Sequence, residues 1–305
     1  MTAEQLKGRD FLRSEDLSRD EILHLLDLAD RLKRLVHERV EHRLLPGRSL
    51  AMIFERSSTR TRVSFEVGMQ QLGGIAVPLT AADTQIGRGE SITDTGLVLA
   101  RYVDGIVIRT GAHARVEELA AAAEVPVINA LTDVEHPCQA LAELQTMRER
   151  LGPLAGRRVA WIGDGNNVCH SLMVAAARVG MQVAVASPVE FQPDPQLVTT
   201  LGDAVELTTD PRAAVAGAHA IVTDVWASMG HEEERDQRIA KLSAYQVNAE
   251  LLEGAAADHI VLHCLPAHVG EEITDDVLHG PHSAAWDEAE NRLHVQKALL
   301  TLLMG

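Results

Sequence analysis

The sequence predicts an α/β protein of two domains, each a parallel sheet flanked by helices. Three observations carry this. Short apolar runs of strand length alternate with segments of helical periodicity from residue 50 onward, the pattern of parallel sheets. The alternation breaks at Gly152-Pro153-Leu154-Ala155-Gly156 and then restarts. At 305 residues the chain is long enough for two cores.

Each element has its own reason. Over 15–38, Leu17, Ile22, Leu25, Leu26, Leu28, Ala29, Leu32 and Val36 recur at helical spacing. Ser18 ahead of Arg19-Asp20-Glu21 has the form of a capping box. Leu50–Phe54 is a strand that runs into Ser57-Ser58-Thr59-Arg60-Thr61-Arg62. The next helix carries Val63, Phe65, Val67, Met69 and Leu72 and stops at Gly73-Gly74. Ile75–Leu79 and Asp104–Arg109 are strands, Arg115–Ala123 a helix, and Val125–Asn129 a strand. His136-Pro137 opens a helix that runs to about Arg150, with proline in its first turn. Beyond the break, strands are expected at Arg158–Ile162, Val183–Ala186, Ile221–Asp224 and Ile260–His263. Ala284–Met304 is a long amphipathic helix. Most of Glu288, Glu290, Asn291 and Arg292 are expected to be solvated charges, Arg292 gaining a role only if the helix packs back on the first domain. Ligands bind beyond the carboxyl ends of strands in open α/β sheets. That points to the turns after residues 54, 109, 129, 163, 224 and 263.

Composition narrows the function. Forty-four acidic residues against 28 basic ones give a formal charge of −16, which repels nucleic acid and anionic membranes. Cys138, Cys169 and Cys264 form no CxxC pair, so a reducing compartment is expected rather than a disulfide scaffold. The first residues are polar with no signal-type apolar region, and no apolar run reaches about 18 residues. The expected location is the cytoplasm.

Against this acidic background the 57–62 segment stands out. A helix N-terminus has unpaired N–H groups and partial positive charge, so it binds anions. Ser57 or Ser58 caps it, Thr59 and Thr61 add hydroxyls, and Arg60 and Arg62 add forks suited to phosphate. Arg88 and Arg109 add to the cluster. The alternative is an exposed capped helix with incidental arginines. His136 and Gln139 share a helix face, where an imidazole and an amide polarise a carbonyl oxygen; a surface histidine is the alternative.

Gly163-Asp164-Gly165 is an incomplete dinucleotide fingerprint, and a tight turn is the favoured reading. The Asn166-Asn167 pair suits an amino-acid head group. Asp224, at a strand's carboxyl end, suits a cationic amine, and Ser228-Met229-Gly230 reads as a mobile loop. An ordinary capped turn is the alternative there. In His263-Cys264-Leu265-Pro266 the proline turns Leu265 away from helix. That aims Cys264 and the Leu265 carbonyl at a substrate, or else ends a strand with a buried thiol. Cys138, Cys169-His170 and His263-Cys264 fit no zinc spacing, so no metal is expected.

Taken in order, Ser-Thr-Arg-Thr-Arg at 58–62, His-Pro-Cys-Gln at 136–139, Asp224 with Ser228-Met229-Gly230, and His-Cys-Leu-Pro at 263–266 resemble the aspartate/ornithine transcarbamoylase family. The resemblance runs from Phe11 to the last helix. The first two motifs are family-wide. The Ser-Met-Gly loop and Cys264 resemble the ornithine carbamoyltransferase branch, since aspartate enzymes carry His-Pro-Leu-Pro and lack that loop. Putrescine and acylated-ornithine relatives also depart in it. Cys138 stands where threonine is common.

The resemblance implies a transcarbamoylase fold and a homotrimer, with substrates in a cleft between domains. Residues 1–150, completed by a helix at about 285–305 that packs back on them, would bind carbamoyl phosphate. Residues 151–284 would bind ornithine. Ser58, Thr59, Arg60 and Thr61 match the phosphate contacts, with Gln85 reaching from a neighbouring subunit. Arg109, His136 and Gln139 match the carbamoyl contacts, and Arg292 an arginine from the final helix. Asn167, Asp224, Ser228 and Met229 match the ornithine contacts, and Cys264 and Leu265 the reacting centre.

The implied reaction is carbamoyl phosphate plus L-ornithine giving L-citrulline plus phosphate. Thr61, Arg109 and His136 would stabilise the oxyanion, Arg60 the leaving phosphate, and Asp224 and Cys264 the attacking amine. No cofactor is implied. The alternative within the family is another amine such as putrescine or aspartate. A dinucleotide-dependent oxidoreductase would leave Arg60 and Arg62 unexplained.

Overall fold

The computed structural model describes residues 6–80, 89–226 and 235–305. In chain order the first elements are α1 (Arg19–His37), β1 (Ser49–Phe54), α2 (Thr59–Gln71), β2 (Ile75–Thr80), α3 (Ile92–Leu99), β3 (Gly105–Arg109), α4 (His113–Ala122), β4 (Val127–Leu131) and α5 (Pro137–Leu151). There follow β5 (Arg158–Ile162), α6 (Asn167–Arg178), β6 (Gln182–Ala186), α7 (Pro195–Leu201), β7 (Val205–Thr208), α8 (Pro211–Val215) and β8 (Ala220–Thr223). The last are α9 (Arg235–Leu242), α10 (Ala249–Leu252), β9 (Ile260–His263), α11 (Asp275–Leu278) and α12 (Ala285–Met304). The chain forms two compact units, Met1–Ala142 with Asn291–Gly305, and Glu143–Glu290.

The first unit holds a parallel sheet of order β2-β1-β3-β4. The order reverses between β1 and β3, which makes the turns after Phe54 and Arg109 the switch point where ligands bind in such sheets. Ala51, Ile53, Ile106, Ile108 and Val127 pack with Val116 and Leu119 of α4. The expected capping box is present: Ser18 N donates to Glu21 Oε2 at 2.7 Å, and Glu21 N to Ser18 Oγ at 3.4 Å. Gly74 follows α2 where a Cβ would lie 2.5 Å from Met69 and 2.8 Å from the Arg48 carbonyl, so only glycine fits. Helix α3, which apolar periodicity did not reveal, is capped by Ser91 Oγ accepting from Asp94 N at 3.0 Å.

The final helix corrects an expectation. It is not amphipathic: from Val295 to Met304 every residue but Thr301 is buried. Glu288, Asn291 and Arg292 are buried rather than solvated, because each has a polar partner that replaces water. Lys33 donates to Asn291 at 2.8 Å, and Gly8 N to the Leu303 carbonyl at 2.9 Å. The stretch from Asn291 thus packs on the first unit.

The second unit holds a parallel sheet of order β7-β6-β5-β8-β9. Its order reverses between β5 and β8, again exposing two turns, after Ile162 and Thr223. Ala160, Ile162, Ala184, Ile221, Trp226, Tyr245 and Val261 form its core. Gly163-Asp164-Gly165 is a packing turn. A Cβ on Gly165 would fall 2.4 Å from Pro193 N, and Asp164 is ion-paired with Arg238.

Candidate active site

The first unit gathers its functional side chains at the carboxyl ends of β1, β3 and β4. Strand β1 delivers the chain to Ser58, whose extended backbone makes it the N-cap of α2. Ser58 Oγ accepts from Thr61 N at 3.3 Å and donates to Thr61 Oγ1 at 3.0 Å. Of the two serines that could cap, Ser58 does so. Arg292 Nη2 donates to Thr61 Oγ1 at 2.8 Å in a buried contact. Thr59, Arg60 and Thr61 supply the first three N–H groups of α2, three of the four such groups that a helix start leaves without intrahelical acceptors. Arg62 points elsewhere, pairing along its own helix with Glu66 at 2.9 Å.

Arg109 ends β3 opposite Phe54 of β1. A register shift between Ile108 and Arg109 against β4 marks an irregularity there, the kind of feature that re-aims a side chain. The Arg109 carbonyl accepts from Glu55 N at 3.0 Å, which ties the two strand ends. His136 precedes α5 and is buried, not a surface residue. Burial, then the positive charges of Arg292 and Arg109, hold its pKa well below 6.5. The imidazole is therefore neutral at physiological pH. Gln139, also buried, follows one helical turn later, its N–H on the His136 carbonyl at 3.0 Å. Cys138 is buried, with burial pushing its thiol up to about 12; it is packing.

The second unit places Asp224 just past β8, buried and fully bonded. Its Oδ2 accepts from Asn166 Nδ2 at 2.8 Å. Its Oδ1 accepts from Val225 N at 2.8 Å and from Cys264 Sγ at 2.9 Å. Burial and then the Asp224 charge raise the Cys264 pKa well above 9.0, so the thiol stays protonated and donates. Asn166 caps α6, accepting from Val168 N at 2.9 Å and Cys169 N at 3.1 Å. Its amide is thus spent on structure, and Asn167 is the one that begins the helix.

Leu265 has φ +57°, rare for a residue with a side chain. Its N–H donates to His263 Nδ1 at 2.9 Å, and His263 Nε2 donates to Glu272 at 2.9 Å, both side chains fully buried. Glu272 also accepts from His268 N at 2.6 Å. Asp224, His263 and Cys264 cluster closely enough to suggest a metal. Both His263 nitrogens are already engaged, however, and the Cys264 proton points at Asp224, so the donor set does not fit an ion.

The structure thus brings Ser58, Thr61, Arg109, His136, Gln139 and Arg292 together in one unit, and Asp224, Cys264 and Asn166 in the other. Gln85, Arg88, Ser228, Met229 and Gly230 lie outside the described residues. Sequence reasoning missed three supports: Glu272 behind His263, Asn166 behind Asp224, and Arg238. Arg238 Nε donates to the Trp226 carbonyl at 2.6 Å, its guanidinium 4.5 Å over Phe191. Only the paired asparagines left a sequence signal.

Comparison with known proteins gives matches over nearly the whole chain. Residues 9–149 match the model of the aspartate/ornithine carbamoyltransferase carbamoyl-P binding domain. Residues 155–303 match that of the Asp/Orn binding domain. The chain is 56% identical over 306 residues to an ornithine carbamoyltransferase of Carboxydothermus hydrogenoformans, with 98% of each covered. It is 53% identical over 296 residues to the anabolic ornithine carbamoyltransferase of Pseudomonas aeruginosa, with 97% of each covered. Its fold superposes on ornithine carbamoyltransferase from Pyrococcus furiosus with a TM-score of 0.95 and 50% identity, covering 98% of each chain.

Proposed function

Because the chain belongs to the aspartate/ornithine carbamoyltransferase family, we propose that it transfers the carbamoyl group of carbamoyl phosphate to the side-chain amine of L-ornithine, giving L-citrulline and phosphate. The observation that carries this is Arg292 bonded to Thr61. It adds cationic charge to a helix N-terminus in a chain of net charge −16.

In this reading residues 1–150 with the helix at 285–305 bind carbamoyl phosphate, and 151–284 bind ornithine. The phosphate rests on Ser58, Thr61, the N–H groups of Thr59 and Arg60, and the Arg60 fork, with Gln85 arriving from a neighbouring subunit. Thr61, Arg109 and His136 face the carbamoyl oxygen, where negative charge grows in the tetrahedral transition state. Gln139, Arg292 and the Leu265 carbonyl orient the rest of the group. Asn167, Asp224, Ser228 and Met229 hold ornithine, and Cys264 orients its attacking amine.

The chemistry sets two demands. An alkyl ammonium has a pKa near ~10.4 and must lose its proton to attack, which partial desolvation favours. The departing phosphate takes that proton, so no strong general base is required. The neutral His136 suits an oxyanion donor. No covalent enzyme intermediate and no cofactor enter the scheme.

The chain also forms a homotrimer in this reading. Ile75, Val77, Leu97, Val98 and Tyr102 of the first unit are exposed apolar side chains, Tyr102 at 74%, of the kind that association covers. Light scattering should give three times 33.1 kDa; a monomer overturns this part. The location is cytoplasmic, which is supported by the need for Cys264 to remain a thiol. Among the described residues no helix is long and apolar enough to cross a membrane.

A colorimetric citrulline assay tests the reaction itself. Ornithine should be carbamoylated, and putrescine and aspartate should not. Turnover of either of those in place of ornithine would reject the substrate assignment.

A further inference from the structure

Three loops of the first unit carry side chains of the proposed carbamoyl-phosphate site, one after each of β1, β3 and β4. The first leads to residues 58–61, the second follows Arg109, and the third ends at His136. Strand β3 lies between β1 and β4 in the sheet, so the outer two loops are neighbours of the middle one and not of each other. Backbone bonds tie each of them to it. The Arg109 carbonyl accepts from Glu55 N at 3.0 Å and from Arg56 N at 3.4 Å. Thr110 N donates to the Leu131 carbonyl at 3.0 Å, and Asp133 N to the Gly111 carbonyl at 2.8 Å.

A side-chain contact spans from the first loop to the third. Arg56 Nη1 donates to Asp133 Oδ1 at 2.5 Å and Nη2 to Oδ2 at 3.3 Å, a two-pronged geometry that fixes direction as well as distance. A Cβ on Gly111 would stand 3.0 Å from Arg56 Nη2 and 3.1 Å from Asp133 Oδ2, so the pair lies directly against the middle turn. The adjacent Glu55 is engaged elsewhere, accepting from Thr110 Oγ1 and Arg115 Nη2. The third loop is itself a closed turn. Thr132 N donates to the Glu135 carbonyl at 2.8 Å, and Thr132 Oγ1 accepts from Glu135 N at 3.2 Å. A displacement of Asp133 therefore carries to His136.

We propose that Arg56 and Asp133 are positioning residues for carbamoyl transfer: their pair clasps the loops after β1 and β4 across the loop after β3. It thereby sets the spacing between the helix start at residues 58–61, Arg109 and His136. This rests on the carbamoyl-phosphate reading of these loops. The Arg56 and Asp133 side chains are 36% and 56% exposed, and exposed pairs add little to folding stability. A rival role for Arg56 is simple attraction of the anionic substrate. The two roles differ in sign at Asp133. Removing a carboxylate that neutralises an attracting cation strengthens anion binding, whereas removing half of a clasp slows turnover.

The test is the citrulline kinetics of full-length Arg56→Met, Asp133→Asn and the double variant. Each single variant should lose at least about tenfold in kcat through misplacement of the reacting groups, with Tm within about 3 °C of the parent. The double variant should match the weaker single variant within about threefold, because the clasp is lost only once. Hydrogen exchange read by mass spectrometry, without substrate, keeps this apart from the reaction assignment. In both single variants the amides of 57–61 and 131–136 should exchange at least about threefold faster than in the parent. An Asp133→Asn enzyme with parent or higher kcat, multiplying losses in the double variant, or unchanged exchange in both loops would each overturn the clasp. A parent that forms no citrulline rejects the reaction assignment instead, and the exchange rates then decide the clasp alone.

Discussion

Arg292 donates to Thr61 Oγ1 at 2.8 Å although 231 positions separate them in sequence. The last helix thereby completes a helix start built near residue 60, and both side chains are buried. Arg292→Leu should raise the KM for carbamoyl phosphate and cut kcat by about 100- to 1000-fold, the cost of losing one preorganised donor. Arg292→Lys, which keeps charge but not the fork, should recover part of it. Steady-state kinetics decide; wild-type constants in the leucine variant would leave Arg292 a packing residue.

His136 should be visible in the acid limb of stability. Its pKa is depressed by burial and by Arg292 and Arg109, so below about pH 6.5 the unfolded chain takes up a proton that the folded chain refuses. Stability therefore falls as pH drops below that value, at up to about 1.4 kcal/mol per pH unit from this group. His136→Gln removes the group. Urea denaturation between pH 7.5 and 5 should show a shallower acid loss in the variant; parallel curves would mean His136 titrates normally.

Cys264 and Asp224 make a linked prediction. The thiol donates to the Asp224 carboxylate, whose charge helps hold its pKa high. Iodoacetamide at pH 8 should label Cys264 slowly in the parent and faster in Asp224→Asn, since only the thiolate reacts. Mass spectrometry of the labelled peptide reads the rates, and slower labelling in the variant contradicts the linkage. Cys264→Ser should lower kcat more than it lowers Tm.

Lys297 is buried in α12, donating to Gln71 at 2.7 Å and bonded to His42 Nε2 at 3.1 Å. Burial pushes its pKa down to about 8. Between about pH 8 and 10.5 the unfolded chain holds a proton that the folded chain has lost. This group's contribution to stability therefore rises with pH across that window. The parent should gain on Lys297→Met between pH 7.5 and 9.5 in urea titrations; a constant difference would contradict the shifted value.

Much of this was legible in the chain. Parallel strands covered on both faces read as apolar runs, so β1, β3, β5 and β9 were found within a residue or so. Strand β4 begins at Val127, two residues later than expected. Strand β7, Val205-Glu206-Leu207-Thr208, lies on a sheet edge with only Val205 buried, and its polar alternation hid it. Helix α3 is interrupted by Gly96, which periodicity penalises. There, however, a Cβ would stand only 3.1 Å from Leu119, so glycine permits close packing on α4. In the site, the capped arginine-rich turn and the His-Pro and Cys-Leu-Pro motifs were local and readable. The partners that aim them were not. Arg292 on Thr61, Asn166 on Asp224 and Glu272 on His263 are contacts made by folding, and no local spacing encodes them.

The central claim is that the N-terminus of α2 grips the phosphoryl end of carbamoyl phosphate. Calorimetric titration of that compound into the parent and into Arg60→Ala measures it most directly. The account predicts binding to the parent and at least about a hundredfold loss in the variant. Undiminished affinity in Arg60→Ala, with the fold intact by circular dichroism, would contradict it.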